Sequence, residues 1–283
     1  MPLMLHLSSP YSDGKKSFNL CHKVIKYSQR LKKMTNYTLF WLIACGHILG
    51  DFYFQTAQSA YMKNKKNSRL KLHWIVYVLC VSGALVPVMN LETAFAAAIL
   101  ILSHLLIDAA LRPLLTSFFS KKYAAFLVDQ ALHLLIIIAV LMLNPSSALN
   151  SFGRTAVRIF SSFLPQTSRQ FVLRAAVLAL LLGKPSNIIV RLVCRQGQSD
   201  EESAADDSSP EAKTGRYIGL LERYLIAVFI AVNSFSSIGF VLTAKSIARF
   251  DQISKDRMFA EYYLIGTLLS AFIAIALSAA VLP

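Results

Sequence analysis

The chain has 283 residues, 55% of them hydrophobic and only 16% charged, against about 25% charged in an ordinary globular domain. Together with a mean hydropathy of +0.51, this argues against a soluble enzyme, a secreted scaffold or a transcription factor. The basic excess, Lys+Arg 29 against Asp+Glu 15, lies in short clusters between long apolar runs, which points to loops facing anionic lipid head groups and away from nucleic acid.

Residues 1–33 carry seven basic side chains (Lys15, Lys16, Lys23, Lys26, Arg30, Lys32 and Lys33) and one acid, Asp13. They lack the apolar core of a signal peptide. The stretch reads either as a membrane-surface arm or as an extension ahead of a true start at Met34.

A bilayer core of about 30 Å takes roughly 20 apolar residues per helix. Seven such segments are predicted, at about 37–57, 72–90, 92–112, 123–143, 171–194, 217–244 and 260–282. The expected fold class is all-α, a polytopic transmembrane helix bundle in the lipid bilayer. Its expected units are a four-helix core over 34–144, an interfacial helix plus a fifth spanning helix over 145–195, an acidic linker over 196–215 and two spanning helices over 216–283. The interfacial helix is expected because Arg154 and Arg158 alternate with Phe152, Ile159 and Phe160. The linker is rich in Gln, Ser, Asp and Glu, which cannot bury enough apolar area to order a segment.

Basic residues follow the first segment (Lys63, Lys65, Lys66, Arg69 and Lys71) and the third (Lys121 and Lys122), with none after the second. That asymmetry puts the first and third loops on the cytoplasmic side. Lys245, Arg249, Lys255 and Arg257 then fall on the other side unless the second half makes an extra crossing.

Ionisable residues inside apolar helices are costly and mark function. The first segment holds His47 and Asp51, the third His104 and Asp108, and the fourth Asp129 and His133, while His73 opens the second. Each pair has i,i+4 spacing, so its two side chains share a helix face. The order His-then-Asp reverses in the fourth segment, which runs the opposite way. If the four helices pack as one bundle, Asp51, Asp108 and Asp129 form one layer near the basic loops. His47, His104 and His133 form another about a turn deeper, and His73 joins from the same end.

Imidazole with carboxylate suits zinc, manganese or iron, and helix bundles host dinuclear sites. Seven such groups exceed the needs of one tetrahedral ion. One or two ions are expected, with Gln55 and Gln130 as hydrogen-bond partners of the ligands. Asp129 and His73 are the candidate catalytic groups, His73 being either a ligand or a general base. In the second half, Lys184, Arg216, Glu222 and Arg223 are candidates for holding an anionic substrate, and Pro185 should kink its helix and free backbone carbonyls. The alternative there is that Glu222 pairs with a buried base and the other cations reach to the interface. Cys21, Cys45, Cys80 and Cys194 form no close pair, so neither a disulfide framework nor a thiolate site is expected.

The stretches GHILGDFYFQ (Gly46 to Gln55), SHLLID (Ser103 to Asp108) and FLVDQALHL (Phe126 to Leu134), with His73 opening a helix between them, resemble a bacterial membrane-protein family catalogued as domain of unknown function 3307. The resemblance extends to GRYIGLLER (Gly215 to Arg223) and TAKSIARF (Thr243 to Phe250). It implies a multi-pass protein of the bacterial inner membrane and supplies no activity. The His-x-x-x-Asp usage is also similar, more loosely, to inner-membrane metal-dependent hydrolases. The favoured reading is a metal-dependent hydrolase acting on a lipid-linked or membrane-proximal phosphoester or amide. The alternatives are a proton- or divalent-ion-coupled transporter or channel using the same cluster, and a non-catalytic membrane scaffold.

Overall fold

The structure is a computed structural model that describes residues 37–54, 66–143, 145–163, 169–194 and 210–282. The arm over 1–33, Gln55 and most of the acidic linker lie outside the described residues. All regular elements among the described residues are helical. Helix α1 (37–48) runs into a π-helical turn, Leu49–Tyr53. Then come α2 (Lys66–Leu85), α3 (Leu91–Leu106), a second π turn (Ile107–Leu111), α4 (Arg112–Phe118) and α5 (Lys122–Met142). The rest of the chain forms α6 (Ser151–Phe163), α7 (Arg169–Leu182), α8 (Lys184–Cys194), α9 (Pro210–Ala231), α10 (Phe235–Ala248), α11 (Phe250–Lys255) and α12 (Arg257–Val281).

Among the described residues, five stretches are long and apolar enough to cross a membrane: Lys71–Val88, Leu91–Phe118, Lys122–Met142, Gln170–Cys194 and Arg257–Val281. Their outward faces are as apolar as their cores. Helix α3 turns Ala96, Ala97, Leu100 and His104 inward while Leu91, Phe95, Leu102 and Leu106 stand exposed. An apolar exterior around a core holding the ionisable groups fits lipid, not water, as the solvent.

The expected count of seven helices changes in the second half. The segment over 217–244, expected as one helix, is two. Asn233 adopts φ 55°, a left-handed conformation that asparagine tolerates better than most residues. Ser234 N–H then closes onto the Phe229 carbonyl at 2.7 Å. The chain reverses, and an ion pair of 2.7 Å between Lys245 and Glu222 ties α10 back along α9. This extra pass, α10, returns Lys245 and Arg249 to the end of the bundle where α9 begins. Helix α9 starts at Pro210, inside the segment expected to be linker.

Two apolar cores meet side by side. One, built from Leu39, Ile43, Val81, Leu85, Leu100, Ile137 and Val140, joins α1, α2, α3 and α5. The other, built from Leu178, Leu182, Ile226, Ile238, Ala271 and Ala274, joins α7, α9, α10 and α12. Ile48 and Phe52 pack with Val177 where the halves touch. Helix α1 lies close against α2, because a Cβ on Gly46 would sit 3.0 Å from Val81 Cα and one on Gly50 3.0 Å from the Tyr77 ring. This is a Gly-x-x-x-Gly contact of the kind that lets membrane helices approach.

The ends of the bundle are capped by short polar devices. Asn90 and Thr93 form a reciprocal capping box that starts α3. Asn150 N–H donates to the Pro87 carbonyl, and its side chain accepts from Gly153 N–H, which sets α6 across the end of the bundle that holds residues 86–88. Only Gly153 of α6 is buried, while Phe152, Ile159 and Phe163 stay exposed.

Candidate metal centre

The π turns decide the geometry of the site. Each takes in the aspartate of a His-x-x-x-Asp pair: Asp51 lies in Leu49–Tyr53 and Asp108 in Ile107–Leu111. A π turn adds a residue to the helical repeat and is common at functional sites. Asp129 and His133 instead lie on regular helix in α5. Among the seven His and Asp residues, exposure does not exceed 9%, the value at Asp108.

Four of the seven converge tightly. One ligand atom from each of Asp51, His73, His104 and Asp108 lies within 4.8 Å of all the others. His73 Nε2 is 3.1 Å from Asp108 Oδ2 and 3.5 Å from Asp51 Oδ1. His104 Nε2 is 3.3 Å from Asp108 Oδ2, 4.0 Å from Asp51 Oδ1 and 3.4 Å from His73 Nε2. A tetrahedron of nitrogen and oxygen ligands about 2.0–2.1 Å from a zinc ion has edges of about 3.3–3.4 Å. Five of the six separations run from 3.1 to 4.0 Å and all lie within 4.8 Å, so the four atoms could hold one ion once they draw together.

Each carboxylate offers one oxygen to this group and is held through the other. Gln130 Nε2 donates to Asp51 Oδ2 and to Asp129 Oδ2, both at 3.1 Å. Arg112 lies 3.5 Å from Asp108 Oδ1. Such outer partners orient ligands and tune their basicity.

The other three expected residues flank the quartet. The His133 ring lies 4.6 Å from that of His104 and 5.1 Å from that of His47, centroid to centroid. His133 Nδ1 donates to the Asp129 carbonyl at 2.8 Å, which leaves Nε2 with its lone pair. That Nε2 and Asp129 Oδ1 are buried and have no hydrogen-bond partner among the described residues. Gln130 bridges Asp51 and Asp129, and the rings of His47, His104 and His133 adjoin. Only the quartet closes to a single-ion geometry.

Two neighbours in the site were not singled out from the sequence. The Tyr77 ring stacks on His104 at 3.6 Å, and its hydroxyl meets His47 Nδ1 at 3.1 Å. Arg112 is the other. Both obey the spacing already in use, since Tyr77 is four residues after His73 and Arg112 four after Asp108. The i,i+4 rule extended by one more step would have found them.

The second-half candidates are placed differently. Gly183 separates α7 from α8, and the carbonyls released at the break are taken up by side chains. Leu180 accepts from the Tyr53 hydroxyl at 2.9 Å, Leu181 from Ser186 at 2.7 Å and Leu182 from Arg223 Nε at 2.6 Å. Arg223 also donates to Ser270 and Asn187. Its guanidinium, 2% exposed, ties four helices together. Glu222 accepts from Lys245, and Lys184 Nζ donates to the Tyr53 carbonyl at 3.0 Å. A cavity of about 1320 Å³ lies between the two halves. Asp51, Asp129 and Gln130 form part of its wall, and Lys184, Arg216, Glu222 and Arg223 another part. The tertiary structure thus brings the two sets of expected residues to one space.

Residues 39–159 match the model of the DUF3307 family, described as a protein of unknown function. The match spans α1 to most of α6, so every His and Asp of the cluster lies inside the DUF3307 segment. It ends before Gly215–Arg223 and Thr243–Phe250. No curated protein and no solved structure matches the chain.

Proposed function

We propose that the quartet of Asp51, His73, His104 and Asp108 holds a divalent transition metal, zinc, manganese or iron, and that the protein is a metal-dependent membrane hydrolase. One observation carries the reading: four ligand atoms within 4.8 Å of one another, one of them on a residue that also lines a large cavity. A bound ion supplies polarisation of a phosphoryl or carbonyl oxygen and acidification of water. The chain's own groups do the rest. Asp129, partly lining the cavity and with an unpartnered Oδ1, is placed to take a proton from water. His133 Nε2 and His47 lie next to the quartet and suit a second ion. Gln130 keeps the carboxylates of Asp51 and Asp129 in register. The substrate is lipid-linked or membrane-proximal, with a phosphoester or amide bond.

The site faces the end of the bundle that carries Phe54, the start of α2 and residues 119–121. The α9–α10 hairpin puts Lys245 and Arg249 at that end too, so the basic residues of both halves agree on one side. That agreement supports a bacterial inner-membrane protein with its cluster toward the cytoplasm.

The rival reading, a proton or divalent-ion path, has the run of His47, His104 and His133 in its favour. Beyond them, however, the core continues as Leu39, Ile43, Val81, Leu85, Leu100, Ile137 and Val140. A relay would end against this apolar layer. Element analysis of protein purified without chelator tests the proposal. One to two transition-metal ions per chain are expected in the wild type and none after His104→Ala plus Asp108→Ala. A metal-free wild type refutes it.

A further inference from the structure

The four ligand atoms of the quartet are not equivalent. His73 Nε2, His104 Nε2 and Asp108 Oδ2 form a triangle with edges of 3.1, 3.3 and 3.4 Å. That is the spacing of three ligands about 2.0–2.1 Å from one shared ion. Asp51 Oδ1 stands further off, 3.5 Å from His73 and 4.0 Å from His104.

Two further observations set Asp51 apart. Of the four residues it alone lines the cavity between the two halves. Its second oxygen is also drawn away from the triangle, because Gln130 Nε2 donates to both Asp51 Oδ2 and Asp129 Oδ2. Gln130 and Asp129 line the same cavity. The triangle has supports of another kind: the Tyr77 ring stacks on His104 at 3.6 Å, and Arg112 pairs with the outer oxygen of Asp108. Catalytic zinc sites hold the ion with three protein ligands and keep a fourth position open, whereas structural sites are closed by four. A carboxylate tied to an amide on its far side can leave the ion and keep that hydrogen bond.

From this we infer that His73, His104 and Asp108 hold the ion, and that Asp51 is an exchangeable fourth ligand on the cavity side. It yields its place to water or to an oxygen of the substrate. Only a coordination bond is exchanged: the incoming oxygen replaces Asp51 Oδ1, and Asp51 Oδ2 stays with Gln130. The exchange takes place on the cavity side, where Asp129, whose Oδ1 has no hydrogen-bond partner among the described residues, also lines the wall. The inference rests on the quartet being a metal centre, and it separates one ligand of that centre from the other three.

The test loads the full chain in dodecylmaltoside micelles with cobalt(II), which substitutes for zinc and reports its ligands by visible absorption. Wild type, Asp51→Ala and Asp108→Ala are compared by element analysis and by titration with azide, a small anion that enters an open position. Asp51→Ala is expected to keep its cobalt, with affinity lowered by about 10–100-fold, no more than the loss of an outer partner costs. Asp108→Ala is expected to lose it. Azide should change the spectrum of the wild type and bind Asp51→Ala at least about tenfold more tightly, since the competing carboxylate no longer occupies the position. Asp51→Asn, which keeps an acceptor for Gln130, carries the same expectation should Asp51→Ala fail to fold. Loss of cobalt from the Asp51 variants as complete as from Asp108→Ala overturns the inference and leaves a four-ligand metal centre standing. Equal azide affinity in the wild type and the Asp51 variants overturns it as well. A wild type that takes up no cobalt overturns the inference and the metal centre together.

Discussion

The two halves of the molecule bury polar groups for opposite ends. In the first half, two buried polar atoms beside the quartet, Asp129 Oδ1 and His133 Nε2, have no hydrogen-bond partner among the described residues. In the second half, Arg223 is just as deeply buried, yet each of its three nitrogens donates to a neutral acceptor. Burying unpaired polar groups costs free energy, so a cluster that keeps two of them beside the quartet is shaped for something that is not protein. A satisfied guanidinium is shaped for the fold. Arg223 and the His/Asp set look alike in the sequence, as ionisable residues in apolar helices. Partners, not burial, distinguish them.

That contrast can be broken most directly at the quartet. His104→Ala plus Asp108→Ala should remove the bound metal altogether and take hydrolysis with it, read by element analysis and by phosphate release. Loss of thermal stability with no change in metal content would move the cluster into the same class as Arg223. A step smaller, Gln130→Ala should leave the helices intact but lower metal affinity by about 10–100-fold, the usual effect of an orienting partner. Competition with a calibrated chelator would measure it.

Arg223→Met should show the reverse pattern. It strands the Leu182 carbonyl and loses the links to Ser270 and Asn187, a cost of about 1–3 kcal/mol for the unsatisfied group, visible as earlier thermal unfolding in detergent. Metal content should not change; if it falls, the halves are coupled more closely than their separate cores imply. The smallest effect is expected where the halves touch. A Cβ on Gly183 would collide with the Tyr53 hydroxyl, so Gly183→Ala should destabilise by about 1 kcal/mol, the low end of overpacking costs. Tyr53→Phe in the same chain should return part of that loss. An additive double variant, read by thermal unfolding, would show that the contact does not couple the two positions.

Much of the first half was legible because helical periodicity is local. His and Asp four apart must share a face whatever the helix packs against, and the reversed order in α5 encodes the antiparallel direction. The π turns at Asp51 and Asp108 were not legible, since a π turn follows from how the helix is packed and no residue type demands it. The second half was harder to read. The stretch over 217–244 is apolar enough to pass for one helix, and a single Asn233 at φ 55° turns it into a hairpin. Glu222 and Arg223 are neighbours in the chain, yet one answers Lys245 and the other holds a helix break together.

Composition by itself determined that this chain is a helical membrane protein, because backbone groups in lipid must be satisfied within helices and there are too few charges for a water-facing surface. Spacing by itself determined which histidines and aspartates share a face. Only the tertiary structure decided that four of them converge within 4.8 Å, and that Lys184 and Arg216 line the same cavity as Asp51 and Asp129. The physical reason is that helix faces follow from a local repeat, whereas the meeting of faces depends on contacts between residues more than a hundred positions apart, such as Tyr53 with Leu180.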